Sequence, residues 1–282
     1  LFHSNISSAL NCGLLDLDYV IKRVLSIEDV PLNAKEGFLR QIIGWREFML
    51  RIYKKDGIRL RNSNFFNLKS KIPESILNAK SGIDVLDETI KKVEKTSYAH
   101  HIERLMILGN IFLLLEIDPD EMHKFFMANF IDAYDWVMVG NVYSMISYSD
   151  GGGFTTKPYI ASSNYVLKMS NYKKGEWCEI LDALYWSFLD KHKDKLSSNP
   201  RMKMQLAILK KMDEDKLNTH KNRAREYKES IGLYNIKEDD EHRLIEMAWQ
   251  DRVPFEIIQK QYGITENQLK NKMRKLISKK AY

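Results

Sequence analysis

The sequence predicts an all-α protein on three observations. Apolar residues recur at spacings of three and four along most of the chain, capping signatures head two of those stretches, and alternating strand patterns with hairpin turns are nearly absent. The stretch at 31–53, PLNAKEGFLRQIIGWREFMLRIY, sets Asn33 as an N-cap with Glu36 three residues on, a capping box ahead of a helical run. TSYAHHIERLMILGN, at 96–110, opens the next amphipathic helix with His100 and His101 side by side. DPDEMHKFFMANFIDAYDWV, at 118–137, repeats the capping device with Asp118 as N-cap, Pro119 at the first helical position and Glu121 completing the box. SYSDGGGFTTKPYIASS, at 147–163, is a Gly, Ser and Thr-rich loop; it lacks the Gly-Lys-Ser/Thr ending of a phosphate-binding P-loop. Two more amphipathic helices follow at 178–192 and 200–212.

Residues 213–238 are polar and charge-dense and fit a linker or a solvated helix. Residues 239–282 then read as a helix, a short helix from about Pro254, a turn at Gly263 and a last helix from about Thr265, the spacing of a helix-turn-helix. That last helix carries Lys270, Lys272, Arg274 and Lys275, which suit DNA phosphates or a solvated basic face.

With 282 residues, 44% of them hydrophobic, the chain has room for one large domain and a small one. No apolar run approaches the roughly 20 residues of a membrane span, and no leader pattern is present, so a cytoplasmic protein without membrane contact is expected. Cys12 and Cys178 make neither a disulfide framework nor a cysteine metal set. A formal charge of +6 favours a polyanionic partner. The leading Leu1 suggests a piece of a longer reading frame.

Successive residues on a helix diverge by about 100°, so His100 and His101 are poorly placed to grip one metal ion, and acid/base chemistry or packing remain. Arg104, three and four residues on, shares their helix face.

Taken together, EGFLRQIIGWREF, YAHHIERLMILGN, IDAYDWV, SDGG, TKPY.ASSNY..KMS and ALYW.FL resemble the helical FAD-binding domain of the photolyase/cryptochrome superfamily. More narrowly, residues 1–212 resemble the bacterial branch of six-four photolyases and cryptochromes that carries an iron–sulfur cluster. The resemblance implies a flavoprotein that binds damaged DNA, in which light drives an electron from reduced FAD to a pyrimidine six-four photoproduct. It implies a lyase, with a cryptochrome-like blue-light photoreceptor or a non-catalytic DNA-binding protein as the alternatives, and a monomer is expected.

By the same resemblance, His100 or His101 contacts the lesion and moves a proton, His101 being the lesion-side choice. Arg104 pairs with Asp132 or Asp135 beside the flavin ring, Asn141 and Asp150 add ring contacts, and Ser4 and Ser7 cradle the FAD phosphates. Asn5 stands where the family has an arginine, removing one charge-assisted contact. Trp45 and Arg46 border the substrate, and Trp136 and Trp186 pass electrons. The cluster cysteines are replaced by Val85, Lys173, Glu176 and a site near Glu179, with Cys178 one step away, so no iron–sulfur cluster is expected. A Lys–Glu surface pair is expected there instead. The resemblance begins past the family's N-terminal α/β domain, so the antenna-pigment site is expected to lie outside this stretch of sequence.

Overall fold

The computed structural model describes residues 6–233 and Lys270. Contacts divide the chain into two compact units, Leu1–Leu233 and Tyr234–Tyr282. Of the second unit, Lys270 is helical and exposed; the helix-turn-helix, and with it Lys272, Arg274 and Lys275, lies outside the described residues, as does Ser4.

The first unit is helical, with no strand among the described residues beyond a lone parallel bridge between Ser70 and Ile117. Helix α1, Ser7–Asn11, is a single turn. Helix α2, Leu17–Leu25, starts at Asp16, whose carboxylate accepts from the Tyr19 N–H. Helix α3, Leu32–Leu39, runs through a π-helical turn, Arg40–Trp45, into α4, Arg46–Arg61. The capping box expected at Asn33 does not form. The helix begins at Leu32 because the Pro31 carbonyl already accepts from the N–H groups of Ala34 and Lys35, and Glu36 pairs forward with Arg40 at 3.4 Å.

After α5, Glu74–Leu77, helix α6, Asp84–Thr96, buries Val85, Leu86, Thr89, Ile90 and Val93, one face at helical spacing. The π-helical turn Glu103–Gly109 then leads into α7, Asn110–Leu114, which is buried on every side and forms the centre of the core. Helix α8, Pro119–Asn129, is capped by Asp118, which accepts from the Asp120 N–H at 2.8 Å. Helix α9, Asp135–Val139, passes into a third π-helical turn, Gly140–Ile146. Here α4 crosses so closely that a Cβ on Gly140 would lie 2.9 Å from the Met49 sulfur.

Beyond the glycine-rich loop come α10, Ser163–Met169, the long α11, Glu176–Lys191, and α12, Lys193–Ser197. They are followed by α13, Lys203–Lys211, and α14, Glu214–Ser230. Residues 214–230, within the segment read as a linker or solvated helix, are thus a helix lying along α11. Its polar majority faces water, but Ala224, Tyr227 and Lys228 are buried, and the Tyr227 hydroxyl donates to the Ser81 carbonyl at 3.0 Å.

One buried carboxylate ties these elements together. Glu116, just past α7 at φ 63°, hydrogen-bonds His192 Nε2 at 3.0 Å and accepts from Lys228 Nζ at 3.0 Å and Lys191 Nζ at 2.6 Å. Burial alone would raise the Glu116 carboxyl, but the His192 hydrogen bond and the charges of Lys228 and Lys191 outweigh it and hold it well below the usual carboxylate range. No helix among the described residues is long and apolar enough to cross a membrane.

Candidate functional site

Residues distant in sequence meet around one ion pair. Arg104, in the π-helical turn Glu103–Gly109, donates from Nη1 to Asp132 Oδ1 at 2.8 Å and from Nη2 to Asp132 Oδ2 at 3.1 Å. Its Nε donates to the Ala99 carbonyl at 2.7 Å. The guanidinium lies 4.4 Å from the Phe130 ring centroid and 5.1 Å from that of Tyr98, with Asp132 on its fork. The side chains are only 15% and 9% exposed, a charge pair removed from water and therefore dependent on this geometry.

Helix α1 docks on the same carboxylate. The Ser7 hydroxyl donates to Asp132 Oδ2 at 2.9 Å and the Asn11 side chain to the Asp132 carbonyl at 2.8 Å. Arg46, at the start of α4, donates to Asn11 Oδ1 and to the Leu10 carbonyl, and its guanidinium lies 5.1 Å from the Trp136 centroid. Ser7, Arg46, Arg104, Asp132 and Trp136 thus form one cluster, with Asn11, which sequence reasoning missed, as its hinge. Asn11 lies 121 residues from Asp132, and no local spacing marks it.

His100 and His101 stand one turn before Arg104. His100 precedes the first helical turn, so the rings do not diverge by a helical step; their centroids are 4.2 Å apart with 35° between planes. The His100 N–H donates to Glu103 Oε2 at 2.8 Å, while its ring Nδ1 accepts from the Ile102 N–H at 3.2 Å. A neutral His100 with Nδ1 as acceptor carries its proton on Nε2. Glu103, a further residue missed, is legible in retrospect as a carboxylate three residues after a helix start, and it also pairs with Lys92 at 2.7 Å. His101 is exposed and His100 half-buried. Among the described residues no group of three or more His, Cys, Asp or Glu could hold a metal ion.

The other candidates fall elsewhere. Asp135, the alternative partner for Arg104, instead accepts from Arg61 and from the Tyr53 hydroxyl at 2.9 Å, with His123 Nε2 at 3.6 Å. Burial raises the Asp135 carboxyl, and the bonds from Arg61 and Tyr53 more than reverse this. Asn141 donates back to the Val137 carbonyl at 2.8 Å. Asp150 accepts from the Ser144 hydroxyl at 3.0 Å and the Gly152 N–H at 3.1 Å, which shapes the glycine-rich loop. Trp45 is exposed, 5.8 Å from Phe48 and 6.4 Å from Phe154. Trp186 packs on Tyr185 at 5.0 Å beside the core.

At the positions that stand in for cysteine, Val85 and the neighbouring Cys178 are buried. Glu176 and Glu179 pair with Arg223, at 3.8 and 2.5 Å, and not with Lys173, because α14 runs alongside α11.

Comparison with known proteins gives one family match and three relatives. The family described as "Protein of unknown function (DUF2805)" matches residues 242–282. The chain is 41% identical over 226 residues to a (6-4) photolyase of Agrobacterium fabrum, covering 76% of this chain and 45% of that protein. It is also 50% identical over 98 residues to uncharacterized protein R855 of Acanthamoeba polyphaga mimivirus, covering 34% of this chain and 80% of the viral one. To R853 of the same virus it is 36% identical over 98 residues, 32% and 71% of the two chains. The chain therefore spans under half the length of the photolyase it matches.

Proposed function

We propose that this chain, which over the matched residues is similar to a (6-4) photolyase, is the flavin-binding part of a photolyase-type, light-dependent enzyme that repairs pyrimidine six-four photoproducts in DNA. The observation that carries this reading is the buried Arg104–Asp132 pair with two contacting histidines one turn away.

The donor set fits FAD. A guanidinium held at fixed distance from a carboxylate suits a ring that gains negative charge, and Arg46 adds a second cation beside Trp136. Ser7 departs from the expected arrangement, since its hydroxyl is used by Asp132 and positions α1. FAD, when bound, supplies the electron that light drives to the photoproduct.

The chain's own residues do the rest. Both Asp132 carboxylate oxygens and the Ala99 carbonyl hold the Arg104 guanidinium in place, so the site needs no rearrangement as charge moves. His100 is anchored at its N–H and its Nδ1, which leaves Nε2 as its neutral-state donor. The two rings lie 4.2 Å apart at the head of this helix. His101, exposed at the head of the helix, is the group that exchanges a proton with the lesion. Trp136 relays electrons past Arg46. The reading needs no iron–sulfur cluster: glutamates paired with Arg223 and an apolar Val85 stand where thiolates would be required.

The test is the absorption spectrum of the purified chain followed by blue light on six-four damaged DNA under reducing conditions. Bound flavin with lesion loss, abolished in His101→Ala while flavin is retained, is the expected result. Flavin without lesion loss would make the chain a photoreceptor, and a colourless protein would overturn the flavin site.

A further inference from the structure

We propose that the solvent face of α4, together with the glycine-rich loop beside it, is the track along which an unstacked DNA strand lies, bases on an aromatic platform and phosphates on a basic ridge. The proposal rests on the DNA reading above and adds where the strand runs.

Helix α4 has the sequence REFMLRIYKKDGIRLR, with six Lys or Arg against two acidic residues. Arg51, Lys55 and Arg59 recur every fourth residue and are exposed, with Lys54 beside them. Four helical residues rise about 6 Å, so these cations form a straight row with a spacing comparable to that of successive phosphates. Among the described residues, no acidic side chain pairs with Arg51, Lys54 or Lys55, while Arg59 reaches Asp56 at 3.2 Å and stays 56% exposed. Unpaired cations in a row leave a positive potential that no internal contact accounts for.

The row ends on aromatic rings. Phe48, 43% exposed, stacks on Phe154 at 4.9 Å with 24° between planes, and Trp45 closes the group from the π-helical turn. The loop carrying Phe154 lies against α4 along its length: a Cβ on Gly153 would lie 3.9 Å from Arg59 Nη2. Exposed Lys157 adds a cation on the loop side. Aromatic faces in water next to a basic row are the recognition chemistry of single-stranded nucleic acid, where stacking tolerates any base and the salt dependence comes from phosphates.

The experiment measures fluorescence anisotropy of the full chain with labelled oligothymidine and with duplex DNA across a salt series. Arg51→Gln/Lys55→Gln/Arg59→Gln is compared with Lys203→Gln/Lys210→Gln/Lys211→Gln on α13. The α4 variant is expected to bind oligothymidine roughly 10- to 100-fold more weakly at low salt, with a salt slope smaller by about 2, and the α13 variant to match wild type. Phe48→Ala is expected to lower affinity roughly 5- to 100-fold with the slope unchanged. Wild-type binding that survives in the α4 variant with the same slope overturns the track alone. A wild type that binds neither DNA overturns the DNA reading and the track with it. Unchanged thermal melting shows that these exposed substitutions leave the fold intact.

Discussion

At the scale of single residues, Asp132 collects bonds from Arg104, Ser7 and Asn11. Its replacement by Asn strands a buried guanidinium, and breaking such a pair costs about 3–5 kcal/mol. Asp132→Asn is therefore expected to lower the urea midpoint strongly and to lose flavin on gel filtration. The sequence offered Asp132 and Asp135 equally. Only the fold separates them, because Arg61 and Tyr53 on α4 occupy Asp135. Glu116 gives a pH prediction. Its folded-state value is depressed below the ordinary 4.5, so its stabilisation is fully present above about pH 4.5 and is lost as pH falls below it. Thermal melts between neutral pH and pH 3 are expected to fall more steeply for wild type than for Glu116→Gln, which starts lower. Nothing in the local sequence marked Glu116, since its partners come from α11, the turn after it and α14.

At the scale of elements, the amphipathic stretches were legible because their apolar spacing records which face is buried. Three features were not. The π-helical turns at Arg40–Trp45, Glu103–Gly109 and Gly140–Ile146 leave no signature in apolar spacing. The start of α3 moved because a proline carbonyl outcompeted an asparagine cap. Helix α14 read as polar because only a thin stripe, Ala224 and Tyr227 with the stem of Lys228, is buried. The glycine-rich loop was legible as a loop, but its path depends on Tyr148. A Cβ on Gly152, at φ 100°, would lie 2.4 Å from the Tyr148 hydroxyl. Gly152→Ala is expected to destabilise by about 1–3 kcal/mol through strain and overlap, read by a lower melting temperature. It is also expected to weaken oligothymidine binding, because Phe154 follows two residues later.

At the scale of the whole molecule, two compact units divide the chain near residue 233. If residues 239–282 add DNA affinity through their lysines and arginines, deleting them weakens duplex binding at low salt. Equal affinity of the two proteins would assign all binding to the first unit. By itself the sequence determined the helical class, the loop at 147–163, the histidine pair with its arginine, and the resemblance to the superfamily, because periodicity, turn composition and ordered motifs are local properties of a chain. Tertiary structure alone decided that Asp132 is the partner of Arg104, that Asn11 joins α1 to it, that the two imidazoles touch, and that α4 and the glycine-rich loop share a basic and aromatic face. Those pairings join residues up to 121 positions apart. Their geometry depends on how helices cross, which no spacing within one helix encodes.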